Sequence, residues 1–274
     1  MTSFRAACVQ LRSTDDVAEN IRAAGELIRE AKSLGAAFIA TPENTTLMAP
    51  DGGAKLERSF AEGHDPALPA FRALAEELGI WLLIGSLAIR TGDNKTANRS
   101  FLIDPAGGIA ARYDKIYLFD VDLPSGEKYR ESSTVAGGGE AVLTDLPWGK
   151  IGLSICYDLR FPGLYRALAQ KGAFALTVPS AFTETTGKAH WHVLLRARAI
   201  ENGAFIIAPA QGGLHANGRR TYGHSLIVSP WGEILAEGGI EPGVFVADID
   251  PAAAAAARAQ IPSLRHDRMY SGPS

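Results

Sequence analysis

Cysteine is scarce in this chain: two residues among 274, Cys8 and Cys156. They make no CxxC pair and no convincing disulfide framework, so a disulfide-stapled scaffold and a dithiol redox site are both set aside. Reduced thiols and a cytoplasmic location are the expectation. Also missing is any run approaching the ~18 apolar residues that a membrane helix needs. Residues 1–10 lack the apolar core of a signal peptide and pass directly into a strand pattern. Neither sign of charge dominates, with 27 basic and 30 acidic residues and a net charge of -3. Nothing therefore points to nucleic acid or to an anionic membrane as partner. A phosphate loop is absent, because Gly137-Gly138-Gly139 is not followed by the lysine and helix such a loop requires. No cofactor and no metal are expected.

What remains is ordinary globular material. At 46% hydrophobic and 21% charged, the chain has ample length to bury a core. No internal repeat, low-complexity linker or composition break marks a boundary, so one domain over residues 1–274 is expected, with its core at about 4–270 and a short tail. Strands are expected at 4–10, 36–40 and 80–85. A helix capped by Ser13-Thr14-Asp15 and stopped by Gly35 carries Val17, Ile21, Ala24, Ile28, Ala31 and Leu34 on one face. Residues 44–66 read as an irregular loop and 67–78 as a helix ended by Gly79. Strands at 98–103 and 109–112 flank Asp104-Pro-Ala-Gly-Gly108, which is hairpin chemistry. A long loop then runs to Gly139; loops of that length inside a compact domain are usually functional. Further on, 141–146 and the strand leading to Cys156 form a second hairpin across Pro147-Trp148-Gly149. Helices are expected at 162–171, 189–202 and 251–259, strands at 174–178 and 204–209. Residues 211–222 read as a glycine-rich basic loop. A third hairpin turns at Pro230-Trp231-Gly232, with the strand 244–249 beside it. Three hairpins among βαβ units do not suit a regular eightfold βα barrel. A two-sheet α/β sandwich with helices outside fits better.

The chemistry gathers at Lys150-Ile-Gly-Leu-Ser-Ile-Cys-Tyr-Asp-Leu-Arg-Phe-Pro162. A short apolar run brings Cys156 to a strand's C-terminal end, the chain turns at Tyr157–Arg160, and Pro162 suits the first position of a helix. In α/β folds that edge is where ligands bind. Glu43 and Lys115 also follow strands. Taken singly, each has an ordinary explanation: a small core side chain, a solvated carboxylate, a surface charge. Other nucleophile arrangements are weaker. Gly152-Leu153-Ser154 opens like a serine-hydrolase elbow but ends in cysteine, and alternation would bury Ser154. A papain-like dyad would need a local context that is absent. His190 and His192 lie two apart on a helix and cannot share a face, which argues against a zinc pair.

The contexts TPEN, YDKIYLFD and ICYDLRFP, in that order, closely resemble those of the nitrilase superfamily of carbon–nitrogen hydrolases, and the resemblance runs from about residue 4 to about residue 270. It implies a nitrilase-like αββα two-sheet sandwich and a Glu-Lys-Cys catalytic set, carried here by Glu43, Lys115 and Cys156. The further glutamate of the lysine loop matches Glu131 in Tyr129-Arg130-Glu131-Ser132, with Glu127 the rival. The residue types suit amide hydrolysis. A cysteine beside an ammonium is expected to have a lowered pKa. Glu43 would shuttle the proton. Lys115 and the Tyr157 N–H would face the oxyanion, worth about 3–4 kcal/mol per donor. Glu131 would hold Lys115 and balance its charge.

Motifs of the second half, Ser180-Ala181-Phe182-Thr183, Thr186-Gly187, Ala189-His190-Trp191, the RARAIE segment 196–201, Ala210-Gln211 and Tyr222-Gly223-His224-Ser225, are similar to the deaminated glutathione amidase branch. That likeness implies a linear amide of an α-keto dicarboxylate as substrate and water as co-substrate. ω-Amidase action on 2-oxoglutaramate, another nitrilase-family amidase or N-carbamoyl hydrolase, and a non-catalytic binding relative are the competing readings. Arg160, Thr183, Thr186 and the 211–222 loop are candidates to line the substrate pocket with Tyr157. The resemblance also implies a homodimer, with Leu164, Leu168, Val193 and Leu195 as contributors.

Overall fold

The computed structural model describes residues 2–92, 94–123 and 126–272. Parts of the expected long loop (124–125) and of the tail (273–274) lie outside them.

The chain opens with β1 (Phe4–Gln10) and α1 (Val17–Ser33), whose N-cap is Asp16 rather than the three residues before it: its carboxylate accepts the Glu19 N–H. β2 (Phe38–Ala40) follows. α2 (Gly52–Glu57), capped by Asp51, then interrupts the stretch expected to be irregular. α3 (Ala67–Leu78) matches its expected bounds, and Gly79 at φ 60° ends it in the left-handed conformation that glycine tolerates. β3 (Trp81–Arg90) outruns its expected length, passing through an irregularity between Ile84 and Leu87. β4 (Thr96–Ile103) and β5 (Ile109–Asp114) pair antiparallel as anticipated. The long loop is not bare: it holds β6 (Asp120–Asp122) paired with β7 (Lys128–Arg130), a 3₁₀ turn at Glu131–Ser133, and β8 (Val135–Ala136) alongside β4.

The second half begins with β9 (Leu143–Leu146) and β10 (Gly149–Gly152), antiparallel across the Pro-Trp-Gly turn. Ladder pairing stops at Gly152, so the strand that carries Cys156 is shorter than expected. Cys156 itself opens a 3₁₀ helix, Cys156–Arg160. α4 (Pro162–Gln170), β11 (Ala173–Thr177), α5 (Glu184–Asn202) and β12 (Phe205–Ala208) complete two crossovers. α5 starts five residues earlier than expected, because the Thr183 side chain caps it by accepting the Thr186 N–H. The glycine-rich loop folds as a hairpin, β13 (Gly212–Leu214) with β14 (Arg220–Tyr222). β15 (Leu226–Val228) and β16 (Ile234–Glu237) form the third hairpin. β17 (Gly243–Ile249) does not join that hairpin but pairs antiparallel with β1 in the opposite sheet, and α6 (Pro251–Gln260) follows.

Two six-strand ladders result, β17-β1-β2-β3-β4-β5 with β8 attached to β4, and β16-β15-β12-β11-β10-β9. Period-two alternation decides which side each residue serves. Along β1, Ala7 and Val9 join Ile28 of α1 and Phe71 of α3 in one outer core. Ala6 and Cys8 face the other way, into a core shared with Ile151, Ile207 and Val228. Beyond the second sheet, Tyr165 of α4, Trp191 and Leu195 of α5 and Ala254 of α6 extend that inner core. The layers run helix, sheet, sheet, helix, the nitrilase-like αββα sandwich. No described helix is long and apolar enough to cross a membrane.

The dimer contributors named from sequence divide. Leu164, Leu168 and Leu195 are buried against this chain's own core, while Val193 is 68% exposed.

Candidate active site

Glu43, Lys115, Glu131 and Cys156 come from four separate loops and meet at one pocket of about 620 Å³. The Glu43 loop is set by contact with β3: a Cβ on Gly85 would stand 2.0 Å from the Thr41 carbonyl oxygen, so only glycine lets the backbones approach this closely. The Ser86 hydroxyl accepts the Asn44 N–H at 2.9 Å and Asn44 takes φ 56°, fixing the turn that aims Glu43 inward.

Lys115 is 2% exposed and its Nζ lies 2.8 Å from Glu43 Oε1 and 2.9 Å from Glu131 Oε2. Asn98, on β4, donates to both carboxylates, at 2.8 Å to Glu43 and 3.1 Å to Glu131. The remaining lone pairs are also met: Glu43 Oε2 accepts the Ala181 N–H at 2.9 Å and Glu131 Oε2 the Phe119 N–H at 2.7 Å. A buried ion triad persists only when its other hydrogen-bonding capacity is satisfied, and here it is. Glu131 therefore occupies the place by Lys115. Glu127, its rival, instead accepts the Tyr129 hydroxyl at 2.9 Å.

Cys156 sits at φ 49°, a left-handed conformation uncommon outside glycine. Its N–H donates to the Pro179 carbonyl. Asp158, fully buried, clamps the same turn by accepting the Ile155 N–H (2.8 Å), the Tyr113 hydroxyl (2.7 Å) and the Tyr117 N–H (2.9 Å). This ties the cysteine turn to the segment that carries Lys115. The Cys156 thiol and the Glu43 carboxylate line the same pocket.

Burial alone would raise the Glu43 carboxyl, but the charge and hydrogen bond of Lys115, with the thiol of Cys156, hold it down at about 2. Burial would likewise lower Lys115, and Glu131 and then Glu43 more than reverse it, keeping the ammonium well above its usual range. The thiol departs from expectation. Burial and then the Glu43 carboxylate push Cys156 up, outweighing Lys115, so the cysteine rests as a neutral thiol.

Of the expected pocket residues, Tyr157, Thr183 and Thr186 line the cavity, and the two threonine hydroxyls lie 2.8 Å apart at the start of α5. Arg160 is not among the lining residues. It reaches His190 Nδ1 at 3.3 Å and lies over the rings of Tyr157 and Phe182, bracing that wall from behind. Two contributors, Asn98 and Lys55, escaped the sequence. Asn98 is a strand residue whose one sequence signal is a polar side chain at an inward position. Lys55 lies on α2, inside the supposed irregular stretch. Its Nζ donates to Asn44 Oδ1 at 2.7 Å, and burial holds it below the usual lysine range. Arg219, within the 211–222 loop expected to line the pocket, projects from the β13–β14 hairpin, donates to the Ala181 carbonyl at 2.6 Å and lies over the Tyr129 ring, while among the described residues its buried Nε has no hydrogen-bond partner. Five cationic side chains, Lys55, Lys115, Lys128, Arg130 and Arg219, line the cavity against three carboxylates, which biases it toward an anionic ligand.

The carbon–nitrogen hydrolase family model matches residues 5–259. A protein of Synechocystis sp. strain PCC 6803 named deaminated glutathione amidase is 43% identical over 271 residues, covering 97% of this chain and 98% of that protein. Among solved structures, the C. elegans NitFhit protein superposes with a TM-score of 0.91 at 35% identity, over 97% of this chain and 65% of that longer one. Saccharomyces cerevisiae Nit3, described as a member of branch 10 of the nitrilase superfamily, superposes with a TM-score of 0.86 at 28% identity, over 97% of each chain.

Proposed function

This chain belongs to the carbon–nitrogen hydrolase family of the nitrilase superfamily, and from that membership we propose that it hydrolyses deaminated glutathione to 2-oxoglutarate and cysteinylglycine through a thioester on Cys156. The observation that carries the reading is the cationic lining of the pocket that holds the thiol, where the buried Arg219 Nε has no hydrogen-bond partner among the described residues. Deaminated glutathione carries a carboxylate at each end, and such a wall suits one of them. The Synechocystis relative bears the name of this activity along essentially its whole length.

In the proposed mechanism the resting thiol is not deprotonated in advance. Moving its proton to a carboxylate held near 2 is uphill, so the transfer accompanies sulfur attack, when negative charge appears on the carbonyl oxygen. Lys115 and the Tyr157 N–H stabilise that oxyanion. Glu43 then passes the proton to the departing nitrogen, releasing cysteinylglycine, and afterwards deprotonates the water that opens the thioester. Glu131 and Asn98 are positioning residues that keep Lys115 and Glu43 in register. We further assign a homodimer formed through the exposed face of α5, where Val193 and Ile200 stand free, and a cytoplasmic location. Light scattering on the purified protein tests the assembly.

The decisive assay supplies deaminated glutathione and 2-oxoglutaramate separately and follows 2-oxoglutarate, with Cys156→Ala as control. We expect a kcat/KM for deaminated glutathione at least about tenfold higher, a difference of ~1.4 kcal/mol in transition-state binding, and no turnover by the variant. Preference for 2-oxoglutaramate would overturn the substrate assignment and leave the mechanism. Turnover by Cys156→Ala would overturn the mechanism.

A further inference from the structure

Outside the pocket lining, two histidines and a glutamate from three different elements converge. His192 on α5 places Nε2 3.0 Å from Glu237 Oε1, at the end of β16. His224, in the turn between β14 and β15, places Nδ1 3.0 Å from the same oxygen. One ligand atom from each residue lies within 4.8 Å of the others. The expectation that His190 and His192 cannot share a site holds for that pair, since His190 turns to Arg160. It overlooked a partner 32 positions downstream, where His224 lies.

We propose that His192, His224 and Glu237 form a binding site for a divalent transition metal of the zinc type. Two imidazole nitrogens and one carboxylate oxygen make a ligand set suited to Zn²⁺, leaving an outward position for water. Imidazole disfavours Ca²⁺ and Mg²⁺, which take oxygen ligands, and the absence of sulfur disfavours copper(I). Ligands at ~2.0–2.1 Å around a tetrahedral ion stand roughly 3.3 Å from one another. The existing 3.0 Å separations need to open only slightly. Each neutral ring frees its lone pair by keeping its proton on the other nitrogen.

The site is built rather than incidental. The Tyr222 ring stacks on His224 at 4.3 Å and meets the edge of His192 at 5.9 Å, restricting both rings. Gly187 makes room for it, since a Cβ there would lie 2.3 Å from Tyr222 Cβ. The His224 backbone is pinned at φ 54°, its N–H donating to the Gly239 carbonyl at 2.7 Å and its carbonyl accepting the Trp191 indole N–H at 2.8 Å. The side chains are 28%, 26% and 39% exposed for His192, His224 and Glu237, enough for an ion to enter. Other charges on α5 are engaged elsewhere: Lys188, one turn before His192, pairs with Glu184 two turns before it, with Arg220 beside Glu184, and Arg196, one turn after, donates to the Gly232 carbonyl.

The test is calorimetric titration of Zn²⁺ into tag-free, chelator-stripped protein carrying Cys156→Ala, so that the active-site thiol cannot compete. One saturable equivalent is expected. His192→Ala and Glu237→Gln should each weaken it by more than the roughly tenfold that loss of an outer partner costs. Co²⁺ should give the intense visible bands of a four-coordinate ion, lost in the same variants. Metal-free melting curves confirm that each variant is folded, and His192→Ala, at a half-buried position inside α5, keeps the test valid if substitution at His224 disturbs its turn. Absence of saturable binding, or an unchanged affinity in folded His192→Ala, would overturn the proposal. Equal affinity for Mg²⁺ would overturn the metal class.

Discussion

Glu43 is held ionised by a neighbour it cannot leave, and that ties its titration to stability. Its carboxyl lies at about 2 in the folded chain against 4.5 ordinarily, chiefly because Lys115 outweighs burial. A depressed carboxyl stabilises the fold above its unfolded value, and the stabilisation disappears as pH falls toward the folded one. Denaturation midpoints measured between about pH 5 and pH 2 should therefore fall faster for the native protein than for Glu43→Gln; parallel slopes would refute the argument. That Glu43, Lys115, Glu131 and Cys156 meet at one pocket was legible only through the resemblance of their sequence contexts, since each taken singly has an ordinary explanation. Their protonation states were not. The low-pKa thiol expected beside Lys115 ignored burial and the adjacent carboxylate, and both are tertiary facts. Asn98 and the Ala181 N–H escaped for the same reason: nothing local distinguishes a strand asparagine that bridges two carboxylates from one that faces solvent.

At the scale of elements, the junction of α5 with the β13–β14 hairpin governs the pocket wall. Phe182 O accepts the Tyr222 N–H at 3.0 Å, and Thr183 bridges to Thr221, so the hairpin that presents Arg219 is stitched to the helix start. Gly187→Ala sets two effects in opposition. Helix propensity gains about 1 kcal/mol, whereas overpacking a tight site costs roughly 1–3 kcal/mol. With Tyr222 Cβ and Cγ both 2.3 Å from the added methyl, the hairpin must give way. KM for a dianionic substrate should rise while kcat changes little; an unchanged KM would show that the hairpin does not set the wall. Helix α3 was readable to the residue, since its apolar spacing and Gly79 agree. α2 and the hairpin were not, because short polar elements take their shape from what they pack on rather than from periodicity. The early start of α5 is set by Thr183, which lines the pocket and caps the helix at once.

For the whole molecule, net charge and pocket charge have opposite signs: the chain carries -3 while its cavity is lined mostly by cations. Attraction of an anionic substrate thus acts through a local field, which salt screens over about 8–10 Å at physiological strength. Raising ionic strength should lower kcat/KM through KM with kcat preserved, and a salt-independent KM would exclude that field. The alternation of βαβ units with hairpins made two sheets foreseeable. The membership of β17 was not, because strand partners far apart in sequence leave no local trace. That last strand pairs along the full length of the first, from Phe4 opposite Ile249 to Gln10 opposite Gly243. Every pocket residue precedes position 220, yet the outer edge of β1 stays bare until the ribosome has delivered residue 249. During synthesis the chemistry is fully encoded before the architecture can close, and through that interval an unpaired apolar edge is open to any passing strand.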